Sequence, residues 1–400
     1  MKIEIFRAIW TICFLSCFSA FAQTMLIEKK LKEEIRRSVE FDVKYVNKTN
    51  IRMSAPPSPP SRVIVAAGIP EPPAAPLPVA DQAIILQEGK FDTEKSKILI
   101  KNYSVNADDK LVINNQYGNI RVNTWYKNEI KVEILIKAFE SNEGKAQDIL
   151  DGVSVSELKQ GNTVSLKTNI NRARSGGGWW GTKKSNGNVE RRGVQINYTI
   201  SMPSKIALDI TNEHGSVFLP SLTGVVTVNA SYGSFSAEKL SNASNRIKVA
   251  YGSASIESLR AGSLQISYGG LSLGSADILD ANVSYSSAKI GKLSGTGDVS
   301  LKYCGRFKID EIDRGVKKLN VEAEYSSVSL GFDEAASFNF DVTVSYNNFK
   351  YTSDKMGVTS TSPDEKSKGF QPTKNYKGMI GKGSDAKVTV NSRYGPVQFL

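Results

Sequence analysis

Histidine is all but missing: 400 residues contain one, His214. A single imidazole cannot build a multi-histidine metal centre, and a Ser-His-Asp relay would have to use that residue as its base. Cysteine is nearly as scarce. Of three, Cys13 and Cys17 lie within the first 22 residues, which leaves Cys304 alone in the remainder. One thiol closes no intramolecular disulfide, so stability must come from burial and backbone pairing. Beyond residue 22 no stretch reaches the ~18 consecutive apolar residues of a membrane-spanning helix. The Gly-Lys-Ser/Thr phosphate loop, the His-Glu-x-x-His pair and the Gly-Gly-x-Gly-x-Asp calcium repeat are missing too. With them go the sequence signatures of the enzymes and metal-binding repeats that depend on them. No catalytic, cofactor-binding or metal-ligating residue is assigned from the sequence, and no cofactor is expected.

The beginning of the chain reads as an export signal. Lys2 and Arg7 precede an apolar run from Ala8 to Phe18, and Ala20-Phe21-Ala22 offers small residues for cleavage, so residues 1–22 are expected to be removed. Lipidation at Cys17, after Phe14-Leu15-Ser16, is the alternative. Either way the protein is expected outside the cytoplasm: in the periplasm, associated with the outer membrane, or extracellular.

Residues 23–54 are a charged segment in which Leu26, Leu31, Ile35 and Val39 fall roughly on one helical stripe. Residues 55–88 form a Pro-rich linker. Proline removes donors and favours an extended backbone, so this segment is expected to act as a semi-rigid spacer. Basic residues exceed acidic ones, 51 to 40, for a formal net charge of +11. They are spread rather than striped, which suits a solvated surface and argues against nucleic acid as a partner. An acidic glycan or lipopolysaccharide is the other reading of that charge.

From residue 89 onward the pattern is β throughout. Ile130, Val132, Ile134 and Ile136 alternate as a strand. Ser141 and Asn142 are possible caps of a short helix near 142–151, with Ala146, Ile149 and Leu150 on one side. Val153–Leu158 and Thr163–Thr168 read as a hairpin. Residues 171–193 read as a loop holding Trp179, Trp180, Lys183, Lys184, Arg191 and Arg192. Paired Trp in a glycine-rich, basic loop is the sequence's best candidate contact surface. The competing view folds the two rings back over an open end of the β core.

One unit then repeats: an alternating strand, an aromatic followed by a small residue, and a second alternating strand. The aromatic position holds His214, Tyr232, Tyr251, Tyr268, Tyr285, Tyr303, Tyr325 and Tyr346, at intervals of 18, 19, 17, 17, 18, 22 and 21 residues. Tyr117 marks an earlier copy, and Tyr394 closes the series after a polar insertion, residues 352–385. Apolar positions change parity across the aromatic, which requires a corner there, with Gly233, Gly252 and Gly269 supplying the backbone freedom. A period near 20 predicts an all-β fold, a right-handed β-solenoid of about 17–22-residue coils over residues 89–400. Stacked coils would set the tyrosines in a ladder and His214 within it.

Three stretches, Asp109–Trp125, Gln195–Leu219 and Gly378–Phe399, carry a family likeness. The chain resembles the putative-adhesin β-strand repeat family of bacterial envelopes, a domain of unknown function (number 4097). The resemblance covers roughly residues 97–400. It implies an exported bacterial β-solenoid and brings no catalytic residue with it.

The favoured expectation is thus a non-enzymatic cell-envelope or surface protein, adhesin-like in binding or structural in role, whose partner is an envelope component, a glycan or a protein. A periplasmic scaffold of envelope-stress signalling is the alternative. A carbohydrate-active β-helix enzyme is the third, and Asp310, Glu311, Asp313 and Arg314 are its densest charged group.

Overall fold

The computed structural model describes residues 93–140, 142–171, 181–185, 188–351, 356–363 and 370–400, with only the backbone described for 181–192. All belong to the unit Pro72–Leu400. The expected signal, charged segment and most of the linker lie outside the described residues. Among those described, the fold is nearly all β, with 25 strands and one helix.

The repeat resolves into two sets of parallel strands. Strands before the aromatic corner pair with their counterparts in the next copy. Thus β11 (Val226–Ser231) lies beside β13 (Asn245–Ala250), with Val228 opposite Ile247. Strands after the corner do the same, as in β12 (Phe235–Leu240), whose Phe235 faces Ala254. In the middle, β14 (Ser253–Ser267), β15 (Gly270–Ser284) and β16 (Ser287–Lys302) each run unbroken from one corner to the next. Like residues therefore stack on like: Leu264 on Ala281 on Val299, all buried. Alternation supplies this core, because every second side chain of each strand points inward. Leu222, Leu240, Leu259 and Leu293, eight residues past their corners, are buried as well.

Antiparallel strands flank the parallel array at both ends. At the first, β4 (Glu129–Glu140) pairs with both β1 (Thr93–Ser104) and β8 (Asn188–Met202). The hairpin β5 (Val153–Gln160) and β6 (Thr163–Ile170) adds through β6 to β2 (Lys110–Gln116). Helix α1 (Glu143–Asp151) packs on β1 and β4. The Asn142 side chain accepts from the Lys145 amide, capping the helix, and Ala146, Ile149 and Leu150 are its buried face. Lys97 fastens β1 to it, donating from Nζ to the carbonyls of Leu150 and Val153, both at 2.8 Å.

Two stretches read as loops contain strands. Within 171–193, β7 (Gly181–Ser185) pairs antiparallel with the start of β8. Within 352–385, β22 (Met356–Ser362) and β23 (Thr373–Ile380) pair with each other, and β23 pairs with β20 (Phe338–Ser345). Short alternations such as Met356, Val358 and Tyr376, all half-buried, were too sparse to stand out among the polar residues.

The order of copies in space departs from their order in sequence. β24 (Lys387–Arg393) lies between β18 (Lys318–Glu324) and β20. β25 (Val397–Phe399) lies between β19 (Val328–Phe332) and β21 (Phe349–Tyr351). The copy carrying Tyr394 thus fills the slot between those carrying Tyr325 and Tyr346, instead of closing the series.

Candidate functional site

Each corner begins with an aromatic residue in the left-handed region. Tyr117, His214, Tyr232, Tyr251, Tyr268, Tyr285, Tyr303, Tyr325, Tyr346 and Tyr394 all have φ between 49° and 61°. Positive φ costs an L-residue roughly 1–2 kcal/mol, so glycine would be the cheaper choice. The glycine that follows meets a different demand. A Cβ on Gly252 would lie 2.0 Å from the carbonyl oxygen of Gly233, and one on Gly269 1.9 Å from that of Gly252. The aromatic makes the turn, and the glycine lets successive corners close up. This reverses the roles that composition alone suggests.

What holds ten strained residues in place is the stack they form. Ring centroids lie 4.6–5.0 Å apart with planes within 15° of parallel, from Tyr117 through His214 to Tyr325, then Tyr394, then Tyr346. Each contact contributes about 0.5–1.5 kcal/mol beyond burial, and an interior ring has two, enough to offset the turn. Several rings stay open to solvent, Tyr232 at 51% and Tyr346 at 50%. His214 sits between Tyr117 and Tyr232 as one more ring.

At the first corners the inward carbonyls are answered by buried amides. Asn115 Nδ2 donates to Ile196 O at 3.0 Å and to Asn212 Oδ1 at 3.1 Å, and Asn212 Nδ2 donates to Gly118 O and Gly215 O. Thr168 Oγ1 joins Asn115 Oδ1 and the Tyr198 hydroxyl. Burial pushes that phenol up to about 12. Further on, Ser286, Cys304 and Ser326 take the glycine's place. The Ser326 hydroxyl donates to Glu324 O and accepts from Cys304 N. Burial raises the Cys304 thiol above its usual range, which keeps it protonated and unreactive.

Beside the ring stack runs a face made by the outward residues of the first strands. Three residues before each corner the register aligns Asn114, Thr211, Asn229, Lys248, Gln265, Asn282, Ser300, Glu322, Asn391 and Thr343. One residue before it align Gln116, Glu213, Ser231, Ala250, Ser267, Ser284, Lys302, Glu324, Arg393 and Ser345. Between the two columns, across the last four copies, lies an open cleft of about 390 Å³. Its walls are Ser300, Lys302, Glu322, Glu324, Asn391, Arg393, Thr343 and Ser345, over the backbone of Leu301, Ala323 and Ser392. The charges there have partners. Lys302 Nζ is 3.7 Å from Glu324, Asn391 Nδ2 donates to Glu322 at 2.7 Å, and the Arg393 guanidinium stands 5.1 Å from the Tyr394 ring centre. Desolvation raises the Tyr325 phenol, with Tyr394, Tyr303 and Glu324 adding to it, so it stays a donor.

The carboxylates on the opposite face are tied up. Asp310 accepts from Lys308 at 2.8 Å and from Lys289 at 2.9 Å, and those hydrogen bonds hold it below the usual carboxylate range. Asp313 is lowered by Lys292 and by the Gly315 amide. Glu311 lies close to Asp313 and Asp333, but Lys292 already bonds Glu311 at 2.7 Å and Asp313 at 2.6 Å, and Asp333 accepts from the Ala335 amide. Lys292 thus pairs with two of these carboxylates, and the third accepts a backbone amide.

Trp179 and Trp180 lie outside the described residues. Lys183 and Lys184 are on β7, and Arg191 and Arg192 on β8, where the register sets Thr182 opposite Arg191 and Lys183 opposite Glu190. Among the described residues no helix is long and apolar enough to cross a membrane.

No family profile and no curated protein matches the chain. It is similar to solved structures of a putative cell adhesion protein from Clostridium sporogenes ATCC 15579, at 10% identity and a TM-score of 0.21, over 76% of this chain and 99% of that one. A putative adhesin from Bacteroides fragilis NCTC 9343 matches at 10% and 0.21, over 76% and 97%. One from Parabacteroides merdae ATCC 43184 matches at 10% and 0.25, over 76% and 96%. Likeness at this distance carries no argument about this chain.

Proposed function

We propose that this protein is an exported, non-enzymatic component of the cell envelope or surface, built as a right-handed β-solenoid of 17–22-residue coils that serves as an adhesin-like binding or structural module. One observation carries the reading: the outward side chains fall into continuous columns along a stack whose corners are locked by ten aromatic rings. Such columns form an extended, repetitive surface, suited to holding a partner along its length. The carboxylates of Asp310 and Asp313, the densest charged group on the second face, are engaged in ion pairs with Lys289, Lys308 and Lys292. The export signal and the Pro-rich spacer fit a domain held away from a surface.

Protease shaving of intact cells, with crosslinking to neighbours, tests the proposal. Digestion of the epitope-tagged chain at the surface, or crosslinks to envelope components, is the expected result. Neither exposure nor an envelope partner would overturn it. Cleavage of a polysaccharide that is lost in a D310N/D313N double variant would overturn the non-enzymatic half.

A further inference from the structure

We infer that the two outward columns beside the ring stack are a binding track for an uncharged, hydroxyl-rich polysaccharide lying along the stack. This deepens the binding-module reading and rests on it.

Charge selects the ligand class. The chain carries +11 overall, yet the twenty track positions hold three cations, Lys248, Lys302 and Arg393, and three anions, Glu213, Glu322 and Glu324. A polyanion would find as many repelling groups as attracting ones. Apolar anchors are missing as well: the only apolar side chain in either column is Ala250, so the track lacks the aromatic or aliphatic centre that protein partners use. What remains is amides and hydroxyls. Among the described residues the side chains of Asn229, Gln265 and Asn282 have no hydrogen-bond partner, and each offers both donors and an acceptor. A sugar hydroxyl needs both.

Geometry selects the mode. The rings lie face to face at 4.8–5.0 Å through the middle copies, so their faces are used up on each other and only edges point outward. A sugar cannot lie flat on them. The stack therefore acts as a wall, and recognition runs through hydrogen bonds to the columns, with the open cleft at Ser300–Arg393 as one seat. Each such bond is weak on its own, so useful affinity requires many copies to be engaged together. Binding should rise with polymer length and depend little on salt.

Affinity electrophoresis of the chain without its first 22 residues, in gels containing neutral glucans or mannans or anionic alginate or polygalacturonate, tests this. Two variants, S300W and N282W, block the track; S272W adds the same bulk to an exposed position on the opposite face. Thermal melts confirm that all three fold. The expected result is retardation by a neutral polymer at low and high salt, kept in S272W and weakened about tenfold or more in the track variants. Retardation by anionic polymers alone, fading with salt, overturns the ligand class, and equal loss in all three variants overturns the location. If no polysaccharide retards the protein while shaving and crosslinking still find an envelope partner, this inference falls alone; if those fail too, the binding-module reading falls with it.

Discussion

The middle copies and the last ones solve the same stacking problem differently. From Asn245 to Lys302 each copy lies beside its sequence neighbour, corner over corner, and from Ser253 the strands run 15 or 16 residues without interruption. From Lys318 onward the strands shorten, and the chain passes over a position before returning to fill it. The core also changes character. Leu264, Ala281 and Val299 fill the middle, whereas Phe332, Phe338, Phe340, Phe349 and Phe399 pack edge to face or tilted at the end. Regular stacking needs small, alike residues at each level. A place where the order breaks needs bulk to fill uneven gaps.

Removing residues 387–400 should widen that contrast most. It strips β18 and β20 of their shared partner β24 and takes away buried Val388, Val390, Val397 and Phe399, at about 1.5–3 kcal/mol each. Hydrogen exchange should show protection lost across 318–351 and kept across 245–302. Uniform loss would mean that the two regions are one cooperative unit. Next is G269A, which forces a Cβ within 1.9 Å of a carbonyl oxygen and should cost about 3 kcal/mol or more in urea unfolding.

Tyr268 separates the stack from the turn. Y268A loses the ring and keeps the strained φ, and should cost about 1–3 kcal/mol. Y268G loses the ring and relieves the strain, so it should be the more stable variant by about 1 kcal/mol. Equal melting temperatures, or the opposite order, would show that the turn is not under strain.

Acid should act on the ion pairs of the second face. The Asp310 and Asp313 carboxyls are depressed in the folded state, so their contribution is complete above the unfolded carboxylate value near ~3.9 and fades as pH falls through the lower folded values. Melting temperature should drop below about pH 4, and less steeply in a K289M/K308M variant. The smallest effect belongs to G270A. Its Cβ would meet nothing nearer than 3.8 Å, so the change should stabilise by about 0.4–1 kcal/mol, opposite in sign to its neighbour.

Much of the architecture is written in the alternation. Change of parity at the aromatic marks the corner, and the spacing of Ala146, Ile149 and Leu150 marks helix α1. The assignment of roles within the corner is not written there. Tyrosine has no preference for positive φ, and only its neighbours above and below explain why it accepts one. The place of Tyr394 is hidden for a related reason. Intervals along the chain count residues, and a 22-residue detour and a skipped slot look alike until strands are paired. The outward columns are not legible in the sequence either, because serines and amides follow no hydrophobic period and are aligned only by the strand register.

The displaced copy has a consequence for assembly. A stack laid down in sequence order can grow by simple addition, each new level templated by the one before. Here the level of Tyr346 must wait, without its proper neighbour, until Tyr394 arrives between it and Tyr325. Completion is therefore a single closing event, and until it happens the vacant position accepts any segment of matching pattern. In a crowded compartment the nearest such segment belongs to another copy of the same chain, so exchange of residues 387–399 between molecules is the misassembly this topology invites.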